Sequence, residues 1–128
     1  MMVPEELRYT PEHEWVLLSE EGTVRVGVTD YAQTQLGDVV YIQLPPLGDS
    51  VKAGQPVGEI ESTKSVSDVF APVDGEVVSR NDALENSPDL VNSDPYGAGW
   101  MIEIKPAQPG ATDSLMIAEE YRALIGEG

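Results

Sequence analysis

Gly58-Glu59-Ile60-Glu61-Ser62-Thr63-Lys64-Ser65-Val66-Ser67-Asp68-Val69-Phe70-Ala71-Pro72 is the stretch on which the reading of this chain turns. Two strand-like runs, Pro56 to Glu61 and Ser65 to Phe70, flank a short polar break that holds a lysine. The break contains no Gly or Asn, so a primed two-residue turn is disfavoured, and a longer loop around a type I turn is expected. The whole chain has three lysines, Lys52, Lys64 and Lys105. Lys64 brings a flexible stem and an amine that can be acylated. At the tip of a rigid hairpin it would present an attached group to several partner sites at high effective concentration. An exposed lysine in a turn is also what an ordinary surface loop contains.

Working outward, strands dominate. Trp15 to Leu18 and Thr23 to Val28 bracket the turn Ser19-Glu20-Glu21-Gly22. Val24, Val26 and Val28 alternate with Thr23, Arg25 and Gly27, the period of a half-buried strand. Asp38 to Leu44 follows, with Val40, Ile42 and Leu44 expected on one face, and Pro45-Pro46 stops its pairing. Gly75 to Arg80 and Trp100 to Lys105 are further strand candidates. Short strands at close intervals predict a small sandwich or barrel.

Three short helices are expected. Thr29 caps Asp30 to Leu36, closed by Gly37. Ser87-Pro88-Asp89 reads as an N-cap, a first-position proline and an acidic first turn. Leu115, Ala118, Tyr121, Leu124 and Ile125 recur at helical spacing up to Gly126. Gly48-Asp49-Ser50-Val51 and Asp74-Gly75-Glu76-Val77 look alike, but the match is too short to establish a repeat.

Composition narrows the function classes. The 128 residues suggest one domain, 1–128, and 41% hydrophobic content suits an ordinary globular core. Seven basic against 23 acidic residues give a formal charge of -16. That surface repels nucleic acid and anionic membranes and would steer toward basic docking faces. No run approaches the ~18 apolar residues of a membrane span. The N-terminus lacks the basic start and apolar stretch of a signal peptide. A cytoplasmic protein is expected, although a mature mitochondrial protein whose presequence was removed would look the same. With no cysteine and one histidine, His13, there is no disulfide, thiol nucleophile or multi-His metal cluster. Neither a Gly-x-Ser-x-Gly turn nor a Gly-rich phosphate loop is present. The chain reads as a non-catalytic carrier whose demanding chemistry belongs to an attached group.

Glu61-Ser62-Thr63-Lys64, with Gly75 eleven residues past the lysine, is similar to a lipoyl-attachment signature. The remainder resembles the H-protein family of the glycine cleavage system. The matching blocks are His13-Glu14-Trp15-Val16, Gly27-Val28-Thr29-Asp30-Tyr31-Ala32-Gln33, Leu36-Gly37-Asp38-Val39-Val40, Leu44-Pro45 and Pro95-Tyr96-Gly97-Ala98-Gly99-Trp100-Met101-Ile102. The likeness runs from about Tyr9 to Lys105, and Glu119-Glu120-Tyr121 extends it.

The resemblance implies a mainly β fold of lipoyl-domain type, a flattened antiparallel barrel or sandwich hybrid. Short helices, one of them C-terminal, and extensions at both ends complete it. It implies lipoic acid in amide linkage to Lys64. A glycine decarboxylase (P protein) loads the arm with an aminomethyl group, and an aminomethyltransferase (T protein) removes it. A dihydrolipoyl dehydrogenase (L protein) reoxidises the arm. Glu61 and Gly75 match positions that lipoylating enzymes recognise. Glu12, Glu14 and Asp68 match positions near which loaded arms fold back. Two departures stand out. Glu12 replaces a frequent Ser, and Gln35 replaces a His found in some members. A solvated acidic face is the other reading of Glu12 and Glu14. His13 reads as a packing or hydrogen-bonding residue beside Trp15. The protein is expected to act as a monomer.

Rival carriers have different signatures. Lipoyl domains of 2-oxo acid dehydrogenases usually carry Asp-Lys-Ala at the tip, and biotinyl carriers Met-Lys-Met, where this chain has Thr63-Lys64-Ser65. Asp113-Ser114-Leu115 mimics a phosphopantetheine attachment motif at Ser114. Asp113 also has a simple reading as a helix cap, and too little chain follows to build a helical bundle.

Overall fold

A computed structural model describes residues 1–126. Nine strands form two antiparallel sheets, and the sheets do not close into a barrel. The larger sheet has the order β1 (Arg8–Tyr9), β2 (Glu14–Leu18), β3 (Val24–Val28), β9 (Ile102–Pro106), β8 (Gly75–Arg80), β5 (Ser50–Val51). The smaller consists of β4 (Val39–Gln43), β6 (Pro56–Ser62) and β7 (Val66–Phe70). Helices α1 (Asp30–Leu36), α2 (Ala83–Asn86), α3 (Leu90–Ser93) and α4 (Ala118–Leu124) fill the edges.

Period-two patterning explains the strands. Val24, Val26 and Val28 are buried, as their alternation predicts. Val16, Val24, Val26, Val51, Ala71, Val73, Val77, Ile102 and Ile104 form one core cluster. Gly27 is forced by packing, because a Cβ there would meet the Trp15 indole at 2.6 Å. Trp15 is wholly buried, and its Nε1–H donates to the Pro95 carbonyl at 2.9 Å. Removing such a side chain costs about 3–5 kcal/mol.

The β4 face differs from expectation. The register shifts between Val39 and Tyr41, a bulge that turns Val40 outward to 52% exposure while Val39 and Ile42 are buried. The tip turn also differs in length. Register holds to Glu61↔Val66, and Ser62 N–H donates to the Ser65 carbonyl at 2.8 Å, so only Thr63 and Lys64 span the turn. Neither has positive φ, so the turn is unprimed.

Local chemistry places α1 as expected. Thr29 caps it, its Oγ1 accepting from Ala32 N–H, and Gly37 ends it at φ 79°. The second expected helix starts later, at Leu90 behind Asp89, because Ser87 closes α2 instead. The last helix starts at Ala118. Met116 is held in extended pairing with Tyr9 on both N–H···O bonds, which keeps Leu115 outside the helix. Asp113 therefore caps no helix. The look-alike segments Gly48–Val51 and Asp74–Val77 are each other's partners: Ser50 pairs with Glu76 and Val51 with Gly75.

Both terminal segments pack together. Val3, Leu7, Tyr9, Trp15, Ala118 and Tyr121 form a separate buried cluster. No helix among the described residues is long and apolar enough to cross a membrane.

Candidate functional site

Lys64 stands exposed at the tip between β6 and β7. Ser62 builds the turn beneath it. Its Oγ accepts the N–H groups of Lys64 (3.2 Å) and Ser65 (3.1 Å) and donates to the Ser65 carbonyl at 3.2 Å. Hydroxyls that satisfy their own turn in this way replace the missing Gly and Asn. The tip is anchored sideways by Thr63 N–H, which donates to the Asp38 carbonyl at 3.0 Å. Asn92 holds that anchor from the other side. It donates to the Gly37 carbonyl at 2.8 Å and accepts from Val39 N–H at 2.9 Å.

The lysine stem lies over Gly37. A Cβ at Gly37 would meet Lys64 Cε at 3.2 Å and Cδ at 3.5 Å. Among the described residues, no carboxylate is in ion-pair reach of its ammonium. The amine is thus presented rather than engaged.

Next to the tip lies a cleft of about 310 Å³. One wall is α1, through Tyr31, Ala32, Gln35 and Leu36, and another is the hairpin, through Ile60, Ser65, Ser67 and Asp68. Glu12, His13 and Glu14 close it. The three expected carboxylates therefore share one cleft, but their environments differ. Glu12 and Asp68 are exposed, whereas Glu14 is 1% exposed. Glu14 Oε1 accepts from Thr10 Oγ1 at 2.6 Å and Oε2 from Phe70 N–H at 3.3 Å. Burial pushes its carboxyl up to about 7, against the lowering pull of those two bonds. Glu14 therefore changes charge near neutral pH. Gln35 is exposed on the α1 wall of the cleft.

The other expected residues lie elsewhere. Glu61 is exposed on β6, in register between Tyr41 and Val66. Gly75 sits beyond the far end of β7 from the tip, opposite Pro106. It has no positive φ; instead, a Cβ there would run into the Lys105 carbonyl and the Ile104 side chain. Ser114 lies in a turn, not at a helix start, in a fold that is not a helical bundle. His13 bonds to Tyr121, with Nδ1 2.8 Å from its hydroxyl, and its ring packs on Tyr31 at 4.8 Å.

Sequence reasoning missed Thr10, Ser65, Ser67, Tyr31 and Tyr121. Ser67 had a usable signal, since it shares the inward phase of Val69 on β7. Thr10 had none, because its role depends on a left-handed turn at His13 (φ 73°).

Comparison with known proteins agrees with this geometry. The family model described as "Glycine cleavage H-protein" matches residues 7–128. A glycine cleavage system H protein from Psychrobacter sp. (strain PRwf-1) is 53% identical over 121 residues, covering 94% of this chain and 96% of the relative. One from Kocuria rhizophila is 56% identical over 124 residues, covering 96% of this chain and 97% of the relative. The crystal structure of a glycine cleavage system H protein from Mycobacterium marinum superposes with a TM-score of 0.89 at 42% identity. It covers 97% of this chain and 99% of that one. The chain belongs to the glycine cleavage H-protein family.

Proposed function

We propose that the protein is the lipoyl carrier of a glycine cleavage system, with lipoic acid in amide linkage to Lys64 Nζ. What supports this reading above all is the exposed Lys64, without an ion-pair partner among the described residues, beside a cleft lined by three carboxylates. The residues fit such an arm. Gly37 leaves a bare track beneath the lysine stem, and Ser65 and Leu36 join the tip to the cleft. When bound, the dithiolane supplies a disulfide–dithiol couple and a sulfur on which an aminomethyl group is carried.

The chain itself contributes presentation and shelter. The turn built on Ser62 holds Lys64 outward for a glycine decarboxylase, an aminomethyltransferase and a dihydrolipoyl dehydrogenase. Between visits, Glu12, Glu14 and Asp68 receive a cationic cargo. A primary ammonium leaving water needs an anionic partner, and the carboxylates supply it. Ile60, Leu36 and Ala32 make the cleft partly apolar, which limits water at a hydrolysable bond. Gln35 offers an amide to the same space. Glu61 and Gly75 serve lipoylating enzymes in different ways, Glu61 as an exposed contact and Gly75 by fixing the base of the hairpin. The carrier performs no catalysis of its own and works as a monomer.

The deciding experiment is intact mass of protein from a lipoylating host, followed by peptide mapping. A single added lipoyl group on the Lys64 peptide is expected. Modification at Lys52 or Lys105, or glycine cleavage supported by Lys64→Ala, overturns the reading.

A further inference from the structure

His13 is the one non-glycine residue among those described with positive φ, and it separates two of the cleft carboxylates. Behind it runs a buried chain of hydroxyls. His13 Nδ1 lies 2.8 Å from the Tyr121 hydroxyl, which lies 2.8 Å from Thr29 Oγ1. Thr29 Oγ1 in turn accepts Ala32 N–H at 3.1 Å, capping α1. Thr29 and Tyr121 have no exposed surface.

The protons can be placed by elimination. Thr29 is buried, so its hydroxyl hydrogen needs an acceptor within the protein. The Tyr121 oxygen is the side-chain acceptor in contact with it. With Thr29 donating to it, Tyr121 donates onward to His13 Nδ1. That order of donors corresponds to a neutral His13 with its hydrogen on Nε2. Reversing the chain would bury the Thr29 hydroxyl hydrogen without an acceptor, a loss of about 1–3 kcal/mol. Burial acts in the same sense, pushing the His13 pKa down and that of the Tyr121 hydroxyl up.

We infer that Tyr121 is a positioning residue for the arm cleft: its hydroxyl locks His13, at the closed end, as the neutral Nε2–H tautomer and clamps the N-cap of α1, the helix that forms one wall. The inference rests on the reading of this cleft as the place where the loaded arm docks. One oxygen on α4 thus ties the His13 end of the cleft to the start of its α1 wall. A second strap joins the same two points, from Thr29 N–H to the His13 carbonyl at 3.0 Å. A neutral His13 adds no positive charge beside Glu12 and Glu14, so it does not offset their attraction for an ammonium. Tyr121 itself is steadied by stacking on Tyr9, with centroids 4.6 Å apart and planes 10° off parallel.

Tyr121→Phe tests this, with Tyr9→Phe as the matched control. Tyr9 also loses a part-buried hydroxyl, one that donates to the Pro4 carbonyl away from the cleft. The first readout needs no lipoate. His13 is the sole histidine, so its ring ¹⁵N signals are assigned without ambiguity. Wild type and Tyr9→Phe should show the Nε2–H tautomer, and Tyr121→Phe a mixture. The second readout is the half-life of aminomethyl-loaded protein free of its partner enzymes. Tyr121→Phe should shorten it about fivefold, the factor that one lost hydrogen bond carries, and Tyr9→Phe should leave it near wild type. An unchanged ring spectrum in Tyr121→Phe overturns the inference, as does equal shortening in Tyr9→Phe. If neutralising Glu12, Glu14 and Asp68 together leaves the half-life at the wild-type value, the docking reading fails. The retention role of Tyr121 falls with it, while the ring spectrum still reports the lock.

Discussion

Glu59 and Asp68 sit directly opposite each other across the β6–β7 hairpin, two exposed carboxylates in register. Like charges in that relation repel. The hairpin that carries Lys64 is thus built with a local excess of negative charge next to the cleft that Asp68 lines. Glu59→Gln should raise the urea midpoint, by an amount equivalent to about 0.5 kcal/mol at low salt. The gain should shrink in ~0.5 M salt, where the Debye length falls to a few ångströms. A lowered midpoint would show that the two carboxylates do not repel in the folded protein.

Lys64→Arg should be indistinguishable from wild type in thermal stability, within about 0.5 kcal/mol, because an exposed tip contributes little packing. It should take up no lipoate, since a guanidinium does not form the amide. Mass spectrometry after co-expression with lipoylating enzymes reads both points. Lipoylation of the Arg variant at another lysine would shift the attachment site away from the tip.

Glu61 and Gly75 should fail in different ways. Glu61→Ala removes an exposed side chain and should leave a normal melting curve with slower lipoylation. Gly75→Val drives a branched side chain into the Lys105 carbonyl at the β8–β9 ladder. It should destabilise the protein by several kcal/mol, in the range of severe overpacking. Its lipoylation should fall only as far as its folded fraction does. A stable Gly75→Val protein with slow lipoylation would instead make Gly75 a recognition contact.

Glu14 should leave a pH signature. Its folded pKa, about 7, lies above the ordinary carboxylate value of 4.5, so the native state holds this proton more tightly than the unfolded chain. The associated stability is complete below about 4.5 and is lost as pH rises through about 7. Glu14→Gln removes that slope, so the variant should gain on wild type between pH 5 and pH 8 in denaturant titrations. Cargo retention should run the other way. Glu14 is ionised above about 7, so wild type should outlast the Gln variant most clearly at pH 8. His13 acts oppositely on stability, because its lowered pKa makes the fold favour the neutral ring, a contribution lost as pH falls. A His13→Gln background separates the two slopes.

Much of this was legible in the chain. The Thr29 cap, the Gly37 stop and the Val24–Val28 alternation are local codes, and the structure follows them. What escaped depends on distant partners. Arg8–Tyr9 and Ser50–Val51 are two-residue strands, too short to show a period. The bulge at Val40 inverts a face that simple alternation assigns to the core. Glu12, Glu14 and Asp68 are chemically alike in sequence, yet only Glu14 is buried, because Thr10 and Phe70 cover it with hydrogen bonds. The need for glycine at Gly75 also comes from a distant partner, since a Cβ there would strike the Lys105 carbonyl.

The sideways anchor of the tip has a consequence for the order of events in the cell. The hairpin is a local structure and can form as soon as its own residues are available. Its anchor cannot, because Thr63 is tied to Asp38, and the Gly37–Val39 corner is itself held by Asn92. A ribosome-bound chain that has released Lys64 but not Asn92 displays Lys64 on a tip whose Gly37–Val39 support is not yet braced. An enzyme that reads the braced tip would therefore act only after synthesis has passed α3.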